Sequence, residues 1–327
     1  AGAGVDVMGA GVGAGRKTGK RVTKTDGDQA ACKQGTLEDG EPPPKCGSIL
    51  RVELVPLIRA GAVARGGDTR PSAPACPDDM AMLPGGKFKR AHGGQEATLA
   101  PFCMDRTEVT IGAYQECVKA GKCQPLGSTA TYPNITADER KWRSAFCPGQ
   151  RLGSNPKYPA TCVEWDMAVS YCWFKRRRLP SDVEFEWATR GGTNGWTYPW
   201  GNDEPQEKHM CTSLILERAQ GPSRGYRERF GTVDEWLRAQ SPDSEVGSCE
   251  VGSRAAGANP EGVHDLLGNA WEWVWAAKDG VKVYPAAGAG WNTGNGNYVK
   301  ASGIWTSDWE PTSRSSDTGF RCVSAPN

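Results

Sequence analysis

Apolar residues recur at helical spacing in three short stretches of the chain, and capping residues mark where these stretches begin. Residues 111–121 follow Thr110, whose hydroxyl can cap a helix, and they end in glycine. Residues 165–176 carry apolar side chains three and four positions apart. Residues 181–190 open with a Ser-x-x-Glu capping box and stop at a pair of glycines. Short apolar runs among glycines and tryptophans follow, so the pattern predicts an α+β protein with much irregular structure.

The first 75 residues differ in amino-acid composition from the rest of the chain. They contain glycine repeats, a basic run and proline-rich segments, and they offer too little apolar surface to offset the entropy of ordering. One stretch, residues 48–58, is apolar enough to predict a strand. We therefore expect residues 1–75 to form an extended arm or linker and residues 76–327 to form the folded domain. A protein partner or a second copy of the chain is the expected contact of the arm.

The balance of charge excludes one class of partner. Lysine and arginine total 39 against 38 acidic residues, so the chain has no overall basic bias toward nucleic acid. No apolar run approaches the ~20 residues that span a bilayer. We expect neither a nucleic-acid partner nor a transmembrane segment.

The cysteines indicate a compartment. There are 12 of them, none in a CxxC pair, and only 3 histidines could complete a metal set. Disulfides are therefore favoured, with free buried cysteines as the alternative. Because structural disulfides persist in oxidising compartments, the sequence predicts an exported bacterial protein of the periplasm, the cell surface or the medium.

Seven segments, in order, resemble the formylglycine-generating-enzyme family, also called sulfatase-modifying factors. They run from about residue 76 to the end of the chain and are MLPGGKF (82–88), FCMDRTEVT (102–110), YPATCVEWDMAVSYC (158–172), RLPSDVEFEWATRGG (178–192), YPWGN (198–202), VHDLLGNAWEWV (263–274) and GFRC (319–322). The resemblance implies the family's compact, loop-rich fold, which is akin to C-type lectins. Periodicity alone does not predict that architecture.

The resemblance also implies one disulfide. In the family, the cysteine that ends one helix bonds the cysteine of the GFRC segment, which here pairs Cys172 with Cys322 and closes a loop of roughly 150 residues. Order along the chain suggests further pairs, although spacing alone cannot fix them. These are Cys32 with Cys46, Cys76 with Cys103, Cys117 with Cys123, Cys147 with Cys162, and Cys211 with Cys249.

The segment HDLLGNAWEW implies a calcium site. Calcium prefers oxygen ligands, drawn from carboxylates and backbone carbonyls. Family members coordinate calcium in this turn, and the resemblance assigns two side chains and two carbonyls, those of Asp265 and Glu272 and those of Gly268 and Ala270. The alternative is that Asp265 and Glu272 cap the turn or pair with arginines.

The catalytic chemistry of the family has no counterpart in this sequence. The enzyme oxidises a substrate cysteine with two thiols that bind copper, and soft thiolates are what copper(I) requires. Counted back from GFRC, those positions fall on Thr293 and Tyr298, and the segment GWNTGNGNYVKASGIW contains no cysteine. Arg314, Ser315 and Ser316 remain in the stretch before GFRC. We expect a groove that can bind and not oxidise.

These observations favour a non-catalytic function. We interpret the chain as an exported, disulfide-rich, calcium-stabilised binding or assembly protein, and membership of a larger cell-envelope or extracellular complex would suit it. The alternative is a cell-envelope enzyme that modifies an exported protein through a non-standard site in the same groove, which fold analogy alone supports. The alternating Trp271, Trp273 and Trp275 could also present a stacking face to a glycan, although such residues more often belong to a core.

Overall fold

The computed structural model describes most of the chain from residue 75 onward. The described residues are 75–91, 93–150, 153–212, 232, 234, 235, 238, 247–278, 281–293, 300, 301 and 309–327. Residues 1–74 of the predicted arm lie outside them, and so do its strand at 48–58, the Cys32 to Cys46 pair and Tyr298. None of the helices in this part of the chain is long and apolar enough to cross a membrane.

Four α-helices lie in the described residues: α1 Ile111–Lys119, α2 Ala137–Ser144, α3 Trp165–Phe174 and α4 Asp182–Thr189. The sequence predicts α1, α3 and α4, and the caps are the expected ones. The Thr110 hydroxyl accepts a hydrogen bond from Ala113 N at 3.1 Å, and Ser181 and Glu184 form both bonds of a capping box. Helix α2 begins with a second capping box and is not among the predicted helices.

Ten short strands accompany these helices in the described residues. They are β1 Met80–Leu83, β2 Gly86–Lys89, β3 Glu96–Leu99, β4 Phe102–Asp105, β5 Trp271–Trp273, β6 Ala276–Lys278, β7 Val281–Val283, β8 Ala286–Gly288, β9 Thr318–Gly319 and β10 Val323–Ser324. They pair into small sheets in the orders β1-β4-β10, β2-β3, β8-β5-β9 and β6-β7. Small sheets, short helices and long connections make the fold α+β and loop-rich, as predicted.

The C-terminal segment connects two of these sheets. Strand β9 runs parallel to β5 and places Gly319 opposite Glu272. Strand β10 then pairs antiparallel with β4 and places Val323 opposite Met104. Arg321 lies between the two pairings, so the backbone itself carries this side chain to the region between β4 and β5.

Five disulfides join the described cysteines, and none of those cysteines is free. The pairs are Cys76–Cys103, Cys117–Cys123, Cys147–Cys162, Cys172–Cys322 and Cys211–Cys249. Each is a pair that the sequence suggests. The Cys172–Cys322 bridge closes a separation of 150 residues and therefore fixes the C-terminal segment to α3.

The core separates the three alternating tryptophans. Trp273 is fully buried in the cluster that joins α1 to α3, and its Nε1 donates to Val163 O at 2.9 Å. Trp271 is half-buried, whereas Trp275 is 48% exposed. Trp273 therefore belongs to the core, and the three rings do not form one exposed stacking face.

Candidate functional site

A threonine that closes a turn occupies the position that counting back from GFRC assigns to the first family thiol. Thr293 is buried, and its hydroxyl accepts a hydrogen bond from Gly290 N at 3.0 Å. Its own N–H donates to Gly290 O at 2.9 Å, and the Thr212 hydroxyl donates to its carbonyl at 3.0 Å. Thr293 therefore stabilises the backbone of the turn. Its hydroxyl is a hard oxygen and offers no thiolate for copper.

Trp291 anchors the same turn in the interior. Its side chain is 1% exposed and lies against Phe146 and Trp142, with ring centres 5.0 and 6.3 Å away. Its Nε1 donates to Ser316 O at 3.2 Å. The turn is thus held against α2 and the stretch before β9.

A cluster in which the charges of Arg143 and Asp317 neutralise each other lies near Trp291. The Arg143 guanidinium stands 5.6 Å from the centre of the Tyr132 ring and 4.6 Å from that of Trp142. Its Nη1 donates to Ser315 Oγ and to Asp317 Oδ2, both at 3.2 Å, and Ser315 Oγ donates to Asp317 Oδ1. Burial raises the pKa of Tyr132 to about 12, so this phenol stays protonated at neutral pH. The cluster is ordered and mostly buried, and it offers no reactive nucleophile.

An aromatic pair borders the cluster. Tyr132 and Trp309 are both half-buried and stack with ring centres 5.8 Å apart and planes 5° from parallel. Arg314 is also half-buried, and its Nε lies 3.6 Å from Glu164 Oε1. We call Tyr132, Trp309 and Arg314 the aromatic edge. All three side chains, two aromatic rings and the arginine, are partly exposed to solvent.

Ser315 and Ser316 do not line this surface. Both are 0% exposed, so neither side chain is available to a ligand in an open groove. Ser315 is held by Arg143 and Asp317, and the Ser316 hydroxyl has no hydrogen-bond partner within the described part of the chain. Of the three residues before GFRC singled out in the sequence, only Arg314 reaches the surface.

The 264–273 turn brings together the two predicted calcium carboxylates. Asp265 has a φ of 54° and is 3% exposed, and its Oδ2 accepts a hydrogen bond from Gly252 N. Glu272 is 0% exposed, and burial together with the nearby Asp265 carboxylate raises its pKa. Gly268 has a φ of 92° and packs on the Cys211 backbone, where a side chain would clash. Ala270 is buried in the same turn.

Glu272 forms a fully buried ion pair with Arg321. Arg321 Nε donates to Glu272 Oε2 and Nη2 donates to Oε1, both at 2.7 Å. Arg321 also donates to the carbonyls of Asp105 and His264 at 3.2 and 2.9 Å. The contacts named as alternatives to calcium are therefore both present, since Asp265 caps backbone and Glu272 pairs with an arginine.

A third buried carboxylate, which the sequence interpretation missed, lies beside this pair. Glu108 follows β4, is 1% exposed, and interacts electrostatically with Asp265, Glu272 and Arg321. Neither of its carboxylate oxygens accepts a hydrogen bond from another described residue. Three buried carboxylates thus interact electrostatically with the Arg321 guanidinium, and burial raises the pKa of each of them.

Backbone oxygens would have to complete the ligands of a cation at this turn. The described residues contain no group of three or more His, Cys, Asp or Glu side chains placed to hold a metal ion. The set predicted from the sequence includes two such oxygens, the carbonyls of Gly268 and Ala270, and it stays a prediction. Calcium accepts such mixed oxygen ligands.

Known proteins share the sequence and the fold of this chain. The model of the family described as the sulfatase-modifying factor enzyme 1-like domain matches residues 67–326. The chain is 26% identical over 287 residues to inactive C-alpha-formylglycine-generating enzyme 2 of Bos taurus, covering 75% of the chain and 88% of the relative. It is 27% identical over 304 residues to the formylglycine-generating enzyme of Thermomonospora curvata, covering 76% and 93%. The solved structure of PvdO from Pseudomonas aeruginosa matches with a TM-score of 0.52 at 20% identity, over 75% of this chain and 93% of that one. At this identity the likeness shows the fold alone.

Proposed function

The chain belongs to the family of sulfatase-modifying factor enzyme 1-like domains, and from this premise we propose that it is a non-catalytic member that binds or assembles. One observation carries the proposal: the sequence has no cysteine between Cys249 and Cys322, where the family's copper-binding thiols belong. The bonded hydroxyl of Thr293 supports it, because that residue is committed to a turn. A bovine relative that is named inactive supports it as well.

We propose an oxidising compartment as the site of this function. Five disulfides among the described residues support export to the periplasm, the cell surface or the medium, because reducing cytosol keeps thiols free. In such a compartment the five disulfides would remain formed while the domain functions.

The aromatic edge is our candidate for the binding surface. Aromatic residues and arginine are enriched where proteins meet, because they combine a large apolar area with polar groups. The Tyr132 and Trp309 side chains are already ordered by stacking on each other, so binding a partner would cost little side-chain entropy. We favour a protein partner, with a second copy of the chain as the simplest one.

A turnover assay tests the loss of catalysis. Purified full-length protein is incubated with a cysteine-bearing peptide, copper(I), a thiol reductant and oxygen, and mass spectrometry follows the peptide. The Thermomonospora curvata enzyme is the positive control. We expect no formylglycine from this chain, and conversion of the peptide would overturn the proposal.

Light scattering tests self-assembly through the aromatic edge. The molar mass of the full chain is measured over a concentration series for the wild type, for Trp309→Ala and for the matched control Trp173→Ala, whose ring on α3 is 45% exposed. We expect a concentration-dependent oligomer that only Trp309→Ala weakens. A monomer at every concentration, or equal behaviour of both variants, would exclude self-assembly through this surface.

We also propose that calcium stabilises the fold at the 264–273 turn. Asp265 and Glu272 would supply carboxylate oxygens and Gly268 and Ala270 would supply carbonyls, so that the ion neutralises buried negative charge. A ligand that binds only the folded state raises the melting temperature. We expect a higher Tm with calcium than with a chelator and a smaller effect of magnesium. An unchanged Tm over a calcium titration would remove calcium from the proposal.

A further inference from the structure

The disulfide between Cys211 and Cys249 is partly open to solvent on one side. Cys249 is half-buried, whereas Cys211 is 1% exposed. Among the five bridges of the described residues, only Cys76–Cys103 also includes a half-buried cysteine, which is Cys76. Because exposed disulfides are the ones that exchange with thiols, these two bridges are the candidates for such a reaction.

A guanidinium lies beside the more accessible sulfur of the first bridge. Arg254 Nη2 is 3.8 Å from Cys249 Sγ. Arg254 Nε has no hydrogen-bond partner within the described residues, so part of the donor capacity of this guanidinium is unused. The carboxylate next to Cys249 along the chain, that of Glu250, lies 3.3 Å from Lys157 Nζ. A cation beside a sulfur favours a thiolate over a thiol, and thiolates are the reactive species in exchange.

The second half-exposed bridge has a neutral contact at its sulfur. Cys76 Sγ lies 3.8 Å from Met82 Sδ, a thioether without charge. The two bridges therefore resemble each other in burial and differ in the charge beside the accessible sulfur. Cys76–Cys103 is thus an internal control for the effect of the guanidinium.

Asn269 holds the two halves of the Cys211–Cys249 bridge together independently of the sulfur atoms. Its side-chain Oδ1 accepts a hydrogen bond from Cys249 N at 2.9 Å, and its N–H donates to Cys211 O at 2.7 Å. Asn269 is itself 0% exposed. Both backbone segments would remain in place after the sulfur–sulfur bond opened, so the bridge could form again.

We infer that Cys211–Cys249 is a site of thiol–disulfide exchange with a small monothiol of the glutathione class. The incoming thiolate attacks Cys249 Sγ and forms a mixed disulfide, while the bond between Cys249 and Cys211 breaks. Cys211 leaves with the electron pair and takes a proton from solvent, and its sulfur lies 3.8 Å from Gly247 O, which can accept the new S–H. A second thiolate then displaces the first from Cys249, which leaves as a thiolate beside Arg254. In total two small thiols are oxidised to one disulfide and the protein bridge is reduced.

This inference goes beyond the proposed binding or assembly function and does not depend on it. Without a thiol all five bridges stay formed, and when a thiol is present this bridge opens first.

A time course with glutathione tests the inference on the unaltered protein. Full-length oxidised protein is incubated with glutathione in native buffer, samples are quenched with iodoacetamide, and peptide mass spectrometry follows each bridge and each adduct. We expect Cys211–Cys249 to open about tenfold faster than Cys76–Cys103, with the glutathione adduct on Cys249. Equal rates, faster opening of Cys76–Cys103, or an adduct confined to Cys211 would overturn the inference.

Variants of Arg254 test the role of the guanidinium. Arg254→Gln should slow the opening of Cys211–Cys249 by about tenfold and leave Cys76–Cys103 unchanged, whereas Arg254→Lys should keep most of the rate because it keeps a cation. Arg140→Gln, at an exposed position on α2, is the matched control and should exchange as the wild type does. A variant that merely loosened the fold would open its bridges faster, which is the opposite change. An unaltered rate in Arg254→Gln would overturn the role given to Arg254.

Discussion

At the scale of single residues, the buried Glu272–Arg321 ion pair should have a large effect on the free energy of unfolding. Replacing Arg321 with Met would leave the Glu272 carboxylate buried and unpaired. Breaking a buried pair in this way costs about 3–5 kcal/mol of unfolding free energy. Chemical denaturation in excess chelator measures that loss. The double variant Arg321→Met with Glu272→Leu should recover most of it, since both charges are then gone. A cost below about 1 kcal/mol for the single change would contradict the role given to the pair.

The residues of this site differ in how far the sequence reveals them. Asp265 and Glu272 share one short turn, so a local motif brings them together. Arg321 reaches Glu272 from 49 positions away, because β9 pairs in parallel with β5. Glu108 is polar and follows a strand, a pattern that is also typical of an exposed residue. Only the closure of β4 against the C-terminal segment explains why it is buried.

At the scale of elements, the capping box of α4 should contribute measurably to stability. Ser181→Ala removes the side chain that accepts from Glu184 N, so we expect a loss of about 1 kcal/mol of unfolding free energy. Thr136→Ala makes the matched change at the capping box of α2. Denaturation curves of the two variants compare the caps. No loss from Ser181→Ala would show that packing alone holds the start of α4.

The same two helices show what local patterns can and cannot predict. Helix α4 has a capping box and buries most of its residues, so signals of two kinds agree. Helix α2 has an equally complete capping box, but only Trp142 is buried along it, and the apolar pattern is too weak to reveal a helix. Strands of two to four residues are shorter still, and alternation over that length predicts little.

At the scale of the whole molecule, the architecture comes from contacts that no local pattern encodes. The small sheets join distant parts of the chain, as where β10 pairs with β4 across more than two hundred residues. The resemblance to a family supplied this arrangement in advance. The missing thiols could be read directly from the sequence, whereas the hydrogen bonds that commit Thr293 to a turn required the structure.

The longest disulfide should stabilise this architecture far more than the shortest. Cys172–Cys322 closes a separation of 150 residues and Cys117–Cys123 one of 6. If bridges act mainly by restricting the unfolded chain, removing the first should cost about 5 kcal/mol and removing the second about 2 kcal/mol. Paired Cys→Ala variants at each bridge keep the comparison matched, because all four cysteines are buried. Denaturation of both variants under non-reducing conditions gives the two costs. Equal costs would mean that packing around the sulfur atoms, and not the length of the closed loop, determines what each bridge contributes.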